Sequence, residues 1–281
     1  MTPYRIVYRG PSRSFAKPHP FLDQALGQAF NQGLNQGLGQ ALGQAFNQAL
    51  DQDRSDSAQL GVSQPGVVFL GSEAGQAYRT QGADMAGAAF IAIELGLECL
   101  GVHTGESRGL EGSRVVGFAR YQIGQGEPSN LIELVRQPAT DEAALQAARS
   151  AFEAAGLKVA VCFDFPGRIV DRLIRPYFNA ALRRLDEKLA SADDLDKTLC
   201  LGLGYPEGPI ALLERTGLAD HFDVTSALYA ALGQEPYAPA RRAQVAKARA
   251  ELGATAPAGA ATAPDGTVVA APANDRAGRV R

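Results

Sequence analysis

The stretch KVAVCFDFPGRIVDRLIRPYFNAALRRLDEK, residues 158–188, decides the fold. Its opening residues, KVAVCF, form a short apolar run of the kind that builds a strand inside a sheet. After Pro166 and Gly167, apolar residues recur at the i, i+3, i+4 spacing of a helix for about six turns. The sequence therefore predicts a strand over residues 158–163 that leads directly into a long amphipathic helix.

Upstream of this stretch, short apolar runs alternate with segments of helical spacing. One helix is indicated by Thr140 as its N-cap, by acidic residues in its first turn and by Gly156 where it stops. Such alternation is typical of an α/β layer with a mainly parallel sheet. The predicted strands cover residues 67–70, 99–103, 115–119 and 130–135, and a further helix covers residues 84–95.

Downstream, the strand signal stops and helices follow one another. Ser191 is placed to cap a helix, Gly202 and Gly204 to end it, and Pro209 to begin the next one. The apolar face of such a helical layer suits a dimer interface. The sequence therefore predicts an α/β domain over residues 61–164 and an all-helical domain over residues 165–252.

Two segments differ sharply in composition from the rest. Residues 21–56 repeat a four-residue, Gln-rich unit such as GQAF, NQGL and GQAL. A strict period of four overshoots the helical turn, so the apolar stripe rotates by about 40° per unit and builds no continuous face. We predict a low-complexity insert there and a disordered tail over residues 253–281. Residues 1–20 hold a candidate first strand at residues 4–8.

Charge and composition exclude several classes of protein. The 281 residues include 27 Lys plus Arg and 30 Asp plus Glu, a net charge of -3, which argues against binding to nucleic-acid phosphates. No apolar stretch is long enough to span a bilayer, so no membrane partner is expected. Cys99, Cys162 and Cys200 lack the spacing of a zinc site or a disulfide framework. The sequence thus predicts a cytoplasmic protein with reduced thiols and no metal.

Several motifs follow one another in a fixed order from residue 130 to about residue 250. After a strand, a helix and a second strand come Pro166-Gly167, Asp171-Arg172, Pro176-Tyr177 and the Gly-x-x-x-Gly-Pro run that ends at Pro209. In this order and spacing, the region resembles the 3-hydroxyacyl-CoA dehydrogenase family. The resemblance is weak over residues 67–119 and close to absent before residue 61.

The resemblance implies a fold and a reaction. The family has a Rossmann domain followed by a helical dimerisation domain, with an acyl-CoA thioester bound between them. It oxidises 3-hydroxyacyl-CoA to 3-ketoacyl-CoA with NAD, in fatty acyl-CoA metabolism. We therefore expect an α/β plus all-α architecture, in which a degenerate Rossmann-like, mainly parallel sheet precedes a helical domain that forms a homo- or hetero-dimer.

In the family, a histidine takes the hydroxyl proton and a glutamate orients that histidine. The resemblance places the glutamate at Glu133, but the histidine is missing. Alignment on Gly117 puts Ala119 at its position, whereas counting back from Glu133 without a gap puts Tyr121 there. Alanine has no proton chemistry, and a tyrosine with its usual pKa of about 10 is almost fully protonated at neutral pH.

The family's substrate-binding asparagine and serine are also replaced. Asp171 stands at the asparagine position, and a carboxylate close to Glu133 would raise the pKa of one of the two. Asp171 alternatively pairs with Arg168, Arg172 or Arg175 on its helix. For the serine, the candidates are Thr104 and Ser107 in the sequence VHTGES, and the neighbouring His103 reaches the site only after a rearrangement.

The nucleotide site departs furthest from the family pattern. A Rossmann fingerprint, Gly-x-Gly-x-x-Gly, follows the first strand and binds the pyrophosphate. Here the predicted first strand is followed by RGPSRSF, which puts Arg9, Pro11 and Ser14 at the three glycines. Pro11 has no N–H to offer a phosphate, although Arg9 and Arg13 could contact an anion. NAD is therefore implied by resemblance only, and the pattern is similar to the degenerate second repeat of two-repeat members.

Three functions follow from these observations. The first is a 3-hydroxyacyl-CoA dehydrogenase-like oxidoreductase with Glu133, Asp171 and Tyr121 as its site residues. The alternative is a catalytically impaired acyl-CoA-binding or partner subunit, a pseudoenzyme that dimerises through the helical domain. In the third, the chain is an interaction protein that acts through the Gln-rich insert, for which nothing in the sequence gives specific support.

Overall fold

The computed structural model describes residues 4–24, 65–85, 87–106 and 114–255. Its centre is a six-stranded sheet whose strands lie side by side in chain order. The first four run parallel, the fourth and fifth are antiparallel, and the fifth and sixth are again parallel. The strands are β1 (Tyr4–Tyr8), β2 (Gly66–Leu70), β3 (Ile91–Glu94), β4 (Val115–Arg120), β5 (Leu131–Arg136) and β6 (Lys158–Phe163).

Helices cover both faces of the sheet, because the central strands are apolar on both sides. In β2, Val67 and Phe69 join a core with Ala74 and Ala77, whereas Val68 and Leu70 join a second core on the opposite face. The second core also contains stacked rings from Tyr4, Phe15, Phe21 and Phe152. The covering helices are α1 (Pro20–Asp23), α2 (Ala74–Gln81), α3 (Gly101–Thr104) and α4 (Glu142–Ala154).

The chain after β6 is helical, as predicted. Ser191 caps its helix by accepting a hydrogen bond from the Asp194 amide, and Gly204 ends that helix in the left-handed conformation. Phe178, Leu182, Ile210 and Leu213 lie in its apolar core. The helices are α5 (Val170–Asp186), α6 (Ala192–Leu203), α7 (Pro209–Thr216), α8 (Leu218–Leu232) and α9 (Arg241–Thr255). The predicted α/β plus all-α architecture is therefore confirmed.

Two local predictions were wrong. The helix predicted over residues 84–95 contains β3, whose four residues are all buried, so its apolar pattern does not alternate as in a half-exposed strand. The strand predicted over residues 99–103 overlaps α3. Its first turn is held by Asp164, whose carboxylate accepts hydrogen bonds from the Leu100 and Gly101 amides. This contact joins residues far apart in the chain, so local sequence does not show it.

Smaller differences concern helix caps and segment limits. Asp141, rather than Thr140, caps α4, because its side chain accepts from the Ala143 amide. Phe21 lies at the start of the predicted Gln-rich insert, yet it is fully buried in the core. Residues 25–56 of that insert and residues 256–281 of the predicted tail lie outside the described residues. No helix of the described ranges has the length and apolar character needed to cross a membrane.

Candidate active site

Glu133 joins the sheet to the helical domain. It lies in the middle of β5 and is 2% exposed. Its Oε1 accepts hydrogen bonds from the amides of Ile169 and Val170, both at 2.8 Å, at the start of α5. A carboxylate at a helix N-terminus satisfies amides that have no partner within the helix and interacts favourably with the helix dipole. Glu133 therefore fixes the position of α5 relative to the sheet.

Arg168 lies beside this carboxylate. Its Nε is 3.9 Å from Glu133 Oε2, both side chains are buried, and an Nη2 hydrogen bond reaches the Gly96 carbonyl. Nε and Nη1 of Arg168 have no hydrogen-bond partner in the described part of the chain. Burial raises the pKa of Glu133, and the Val170 amide, the Arg168 charge and the Ile169 amide oppose that rise. The site therefore holds a carboxyl whose proton affinity is above its usual range.

The residue beside Glu133 on the neighbouring strand is Ala119. The antiparallel register of β4 and β5 pairs Ala119 directly with Glu133, at a position where side chains lie next to each other. This register agrees with alignment on Gly117 and places Tyr121 just beyond the end of β4. Of the two residues considered for the position of the missing histidine, Ala119 and Tyr121, it is Ala119 that pairs with Glu133 across the strands.

Tyr121 is close to the same charged groups. Its hydroxyl is buried and has no hydrogen-bond partner among the described residues. Burial raises the pKa of Tyr121, the charge of Arg175 acts against the rise, and the charges of Asp171 and Glu133 add to it. The hydroxyl stays protonated at any physiological pH, so Tyr121 can donate a hydrogen bond but is a poor base.

Asp171 pairs with Arg175, one of the three arginines considered for it. Its Oδ1 accepts a 2.7 Å hydrogen bond from Arg175 Nε, one helical turn further along α5. The Arg175 side chain is 1% exposed and the Asp171 side chain 13%, so the arginine is buried and the carboxylate is mostly buried. A buried ion pair of this kind depends on both partners, because removing one leaves an uncompensated charge.

The pair continues into a buried polar network. Arg175 Nη1 lies 3.2 Å from His221 Nδ1, and His221 Nε2 lies 3.0 Å from Asn179 Oδ1. Because arginine only donates, Nδ1 must accept, and the ring proton sits on Nε2 and is donated to Asn179. Burial and the Arg175 charge lower the pKa of His221 to about 3. His221 is therefore a neutral, doubly hydrogen-bonded core histidine.

Sequence reasoning did not identify this network. Asp171, Arg175 and Asn179 recur at intervals of four, which places them on one face of α5 within its apolar stripe. Polar residues at this spacing on an otherwise apolar helix face are the pattern in the sequence that indicates a buried polar network. The partner, His221, comes from α8 and is distant in sequence, so its role could not be predicted from spacing.

The candidates from the VHTGES segment lie elsewhere. His103 contacts Arg79 and Glu98 and packs over Gly75 of α2. Burial alone would raise the pKa of Glu98, but hydrogen bonds from His103 and backbone amides lower it to about 2. Thr104 donates to Gln137 Oε1 at 2.9 Å. None of these contacts of His103 and Thr104 involves Glu133, and Ser107 lies outside the described residues.

The loop after β1 is held by another buried carboxylate, Glu94. Glu94 Oε1 accepts from the Ser14 amide at 2.7 Å and from the Ser12 hydroxyl at 3.0 Å, and Oε2 accepts from the Gly71 amide at 2.7 Å. Pro11, placed at one of the fingerprint glycines, accepts from the Ser72 amide through its carbonyl. The loop is thereby attached to the carboxyl ends of β2 and β3.

An open cavity of about 340 Å³ lies between the sheet and the helical domain. Loops that follow β1, β3 and β4 form one wall, and α8 forms the other. Its lining combines one cation, amide side chains, carboxylates and apolar groups. Among the lining residues are Arg13, Leu97, Gln122, Gln125, Asp220 and Val224. In the described ranges, no group of three or more His, Cys, Asp or Glu is arranged to hold a metal ion.

Comparisons with known proteins identify the helical domain. Residues 167–262 match the family described as 3-hydroxyacyl-CoA dehydrogenase, C-terminal domain. A 3-hydroxybutyryl-CoA dehydrogenase of Bradyrhizobium diazoefficiens is 34% identical over 109 residues, which is 39% of this chain and 37% of that protein. The human mitochondrial hydroxyacyl-coenzyme A dehydrogenase is 38% identical over 88 residues, 31% of this chain and 28% of the human protein. The matched region thus spans well under half of each relative.

Solved structures extend the similarity to the whole fold. FadB2 of Mycobacterium tuberculosis superposes with a TM-score of 0.54 at 20% identity, over 88% of this chain and 85% of that one. The (S)-3-hydroxybutyryl-CoA dehydrogenase PaaH1 from Ralstonia eutropha gives a TM-score of 0.54 at 22% identity, over 66% and 65% of the two chains. At these identities, the superpositions establish the fold. Residues 167–262 are thus similar to the C-terminal domain of 3-hydroxyacyl-CoA dehydrogenases, and a Rossmann-like sheet precedes them in the chain.

Proposed function

We propose that the chain is a 3-hydroxyacyl-CoA dehydrogenase-like oxidoreductase of fatty acyl-CoA metabolism, which interconverts 3-hydroxyacyl-CoA and 3-ketoacyl-CoA. The observation that carries the proposal is the position of Glu133. Its carboxylate is bonded to the amides of Ile169 and Val170, where the domain shared with the family begins. The glutamate implied by the resemblance is thus held at the boundary of the sheet and the helical domain.

The cavity between the sheet and α8 suits an acyl-CoA thioester. Leu97 and Val224 offer apolar surface for an acyl chain. The side-chain amide nitrogens of Gln122 and Gln125 donate to the Gly126 carbonyl and to Asp220, which leaves their carbonyl oxygens as acceptors. Arg13 supplies one cation at the same cavity for an anionic group of the coenzyme, opposed by the carboxylates of Asp220 and Asp223. Ligands commonly bind at the carboxyl ends of the strands of such sheets and at domain boundaries, and both conditions hold here.

The proton chemistry of the proposed reaction falls to Glu133. Oε1 is held by two amides, so Oε2 is the oxygen that would exchange a proton with the substrate hydroxyl, while the hydride would pass between the substrate carbon and the NADH supplied in the assay below. Glu133 is buried and is not among the residues that line the cavity, so this step requires the substrate to reach beyond that lining. The raised pKa of Glu133 favours uptake of that proton, and Arg168 balances the charge when the proton leaves. Tyr121 keeps its own proton and serves as a hydrogen-bond donor.

NAD is the cofactor that the family implies, and the residues after β1 do not fit it. The amides of Ser14 and Gly71, which could bind phosphate oxygens, donate to Glu94 instead. Pro11 offers no amide. We therefore derive no step through a nucleotide bound at this loop.

A second candidate function is favoured by Ala119 opposite Glu133. The chain would then be a catalytically impaired acyl-CoA-binding or partner subunit that pairs with an active dehydrogenase through the helical domain. Apolar side chains on the outside of α5 and α6 are available for such pairing. They include Leu173 (72% exposed), Leu201 (78%) and Leu203 (65%). In either role we propose a cytoplasmic protein, since Cys99, Cys162 and Cys200 are all free thiols.

The deciding experiment is NADH consumption by the purified chain with acetoacetyl-CoA. Glu133→Gln is the test variant, and Glu214→Gln, an exposed residue of α7, is the matched control. Turnover that is lost in Glu133→Gln and kept in Glu214→Gln supports the oxidoreductase. Absence of turnover at high enzyme concentration, with acetoacetyl-CoA binding detected by calorimetry, supports the second candidate. Absence of both turnover and binding contradicts the oxidoreductase and the acyl-CoA-binding form of the second candidate.

A further inference from the structure

Glu94 has an unusual environment for a carboxylate at a strand end. It is 6% exposed and closes β3 at its carboxyl end. Its two oxygens accept three hydrogen bonds, from the amides of Ser14 and Gly71 at 2.7 Å and from the Ser12 hydroxyl at 3.0 Å. The three donors belong to the segments that follow β1 and β2. One buried anion therefore joins the ends of three adjacent parallel strands.

Three such donors form the kind of arrangement that binds phosphate. In open parallel sheets, anionic ligands lie beyond the carboxyl ends of the strands, where backbone N–H groups of the loops point at them. Ser14 and Gly71 present two such groups at this edge, with the Ser12 hydroxyl beside them. The carboxylate that they bind is the chain's own.

The loops around Glu94 also leave no gap for a ligand. Gly71 has a positive φ of 106°, and a Cβ built on it would lie 2.1 Å from the Arg9 carbonyl oxygen and 2.4 Å from that of Gly10. The Ser72 amide donates to the Pro11 carbonyl at 3.0 Å. The segments after β1 and β2 are thus in direct backbone contact, where a pyrophosphate would have to pass between them.

We propose that the Glu94 carboxylate takes the place of a ligand phosphate. It occupies the position at the ends of β1, β2 and β3 where a bound anion would otherwise accept these three hydrogen bonds. A nicotinamide dinucleotide therefore does not bind at this edge of the sheet. Any hydride carrier used by the chain or its complex is bound elsewhere. The inference is independent of the proposed function, because it concerns a position that acyl-CoA binding does not require.

The test uses the full chain and the amide resonances of Ser14 and Gly71. We expect millimolar NADH to leave both resonances of the wild-type chain unshifted. In Glu94→Ala, the freed donors should respond to inorganic phosphate, which should shift both resonances and raise the melting temperature of the variant more than that of the wild type. Glu73→Gln, an exposed residue two positions after Gly71, is the control and should behave as wild type.

Saturable shifts of Ser14 and Gly71 by NADH in the wild-type chain would overturn the inference, and this arm needs no variant. If Glu94→Ala does not fold, Glu94→Gln is the second variant, and a wild-type melting temperature in Glu94→Gln would also overturn it. Acyl-CoA binding and turnover are measured separately. NADH shifts at these amides refute the inference alone, whereas loss of all acyl-CoA binding and turnover refutes the proposed function alone.

Discussion

Ala119 on β4 and Glu133 on β5 are direct cross-strand neighbours in the antiparallel pair that these two strands form. The glutamate is kept with two backbone amides on Oε1, while its cross-strand neighbour has no group that can move a proton. Under the proposed function, Glu133 corresponds to the family's orienting glutamate, and the position of the family's histidine is taken by an alanine.

Restoring an imidazole should increase the proposed activity. In Ala119→His, the new ring lies beside Glu133, and base catalysis contributes typically about 10²–10⁴-fold to a rate. We expect kcat/KM for acetoacetyl-CoA reduction to rise at least about tenfold, on the low side of that range because Ala119 is buried and the larger side chain must be accommodated. Circular dichroism establishes that the variant is folded. A folded variant with unchanged turnover would contradict the assignment of residue 119 to the position of the missing base.

Replacing Asp171 should destabilise the helical domain. Asp171→Asn keeps the shape of the side chain but leaves Arg175 without its counter-ion in a site that is 1% exposed. Breaking a buried pair in this way costs about 3 kcal/mol of unfolding free energy. Urea unfolding measures the loss, with Asp193→Asn, on the exposed side of α6, as the control. Adding Arg175→Met to Asp171→Asn should recover part of the stability, and a lack of recovery would show that the pair is not coupled.

His221 should make stability depend on pH in the acidic range. Its pKa falls from 6.5 to about 3 on folding, so between these values the unfolded chain binds more protons than the folded one. The unfolding free energy therefore decreases as the pH is lowered, by up to about 1.4 kcal/mol per pH unit from this residue. His221→Gln preserves one acceptor for Arg175 and one donor for Asn179 and lacks the titration. The slope between about pH 7 and about pH 5 should be smaller in the variant; equal slopes would rule out this assignment.

Phe21 should contribute strongly to the α/β core. It is fully buried and stacks on Tyr4, Phe15 and Phe152. Removing a buried phenyl ring typically costs about 3–5 kcal/mol, and we expect Phe21→Ala to fall in that range in chemical denaturation. Leu189→Ala, at a side chain that is 68% exposed, is the control and should cost far less. If Phe21→Ala lost no more unfolding free energy than Leu189→Ala, residue 21 would not be part of the core and would belong to the Gln-rich insert, as the sequence pattern indicates.

Sequence patterns were sufficient where the signal is local. The strand at residues 158–163 and the cap at Ser191 each depend on residues close in the chain, and the structure shows them where they are predicted. The family resemblance rested on the same region. By contrast, β3 is buried on both faces, so its four residues carried no alternation and were assigned to a helix.

The site was only partly predictable for the same reason. Glu133 was identified through the family motif, but its partners at Ile169 and Val170 and the nearby Arg168 depend on how α5 meets the sheet. The choice between Ala119 and Tyr121 required the strand register. The sequence does not single out Glu94, because it lies within the helix predicted over residues 84–95 and its three donors are distant from it in the chain.

The order of the strands has a consequence for synthesis of the protein. Each described strand pairs with the strand that precedes it in the chain, from β1 to β6. Chains fold from the N-terminus during translation. When a new strand leaves the ribosome, the strand with which it pairs has therefore already been synthesised and lies at the edge of the sheet. From β2 onward, none of the described strands has to insert between two others. The sheet can be completed one strand at a time, and the helical domain, which is translated after the sheet, docks through Glu133 onto a surface that is already formed.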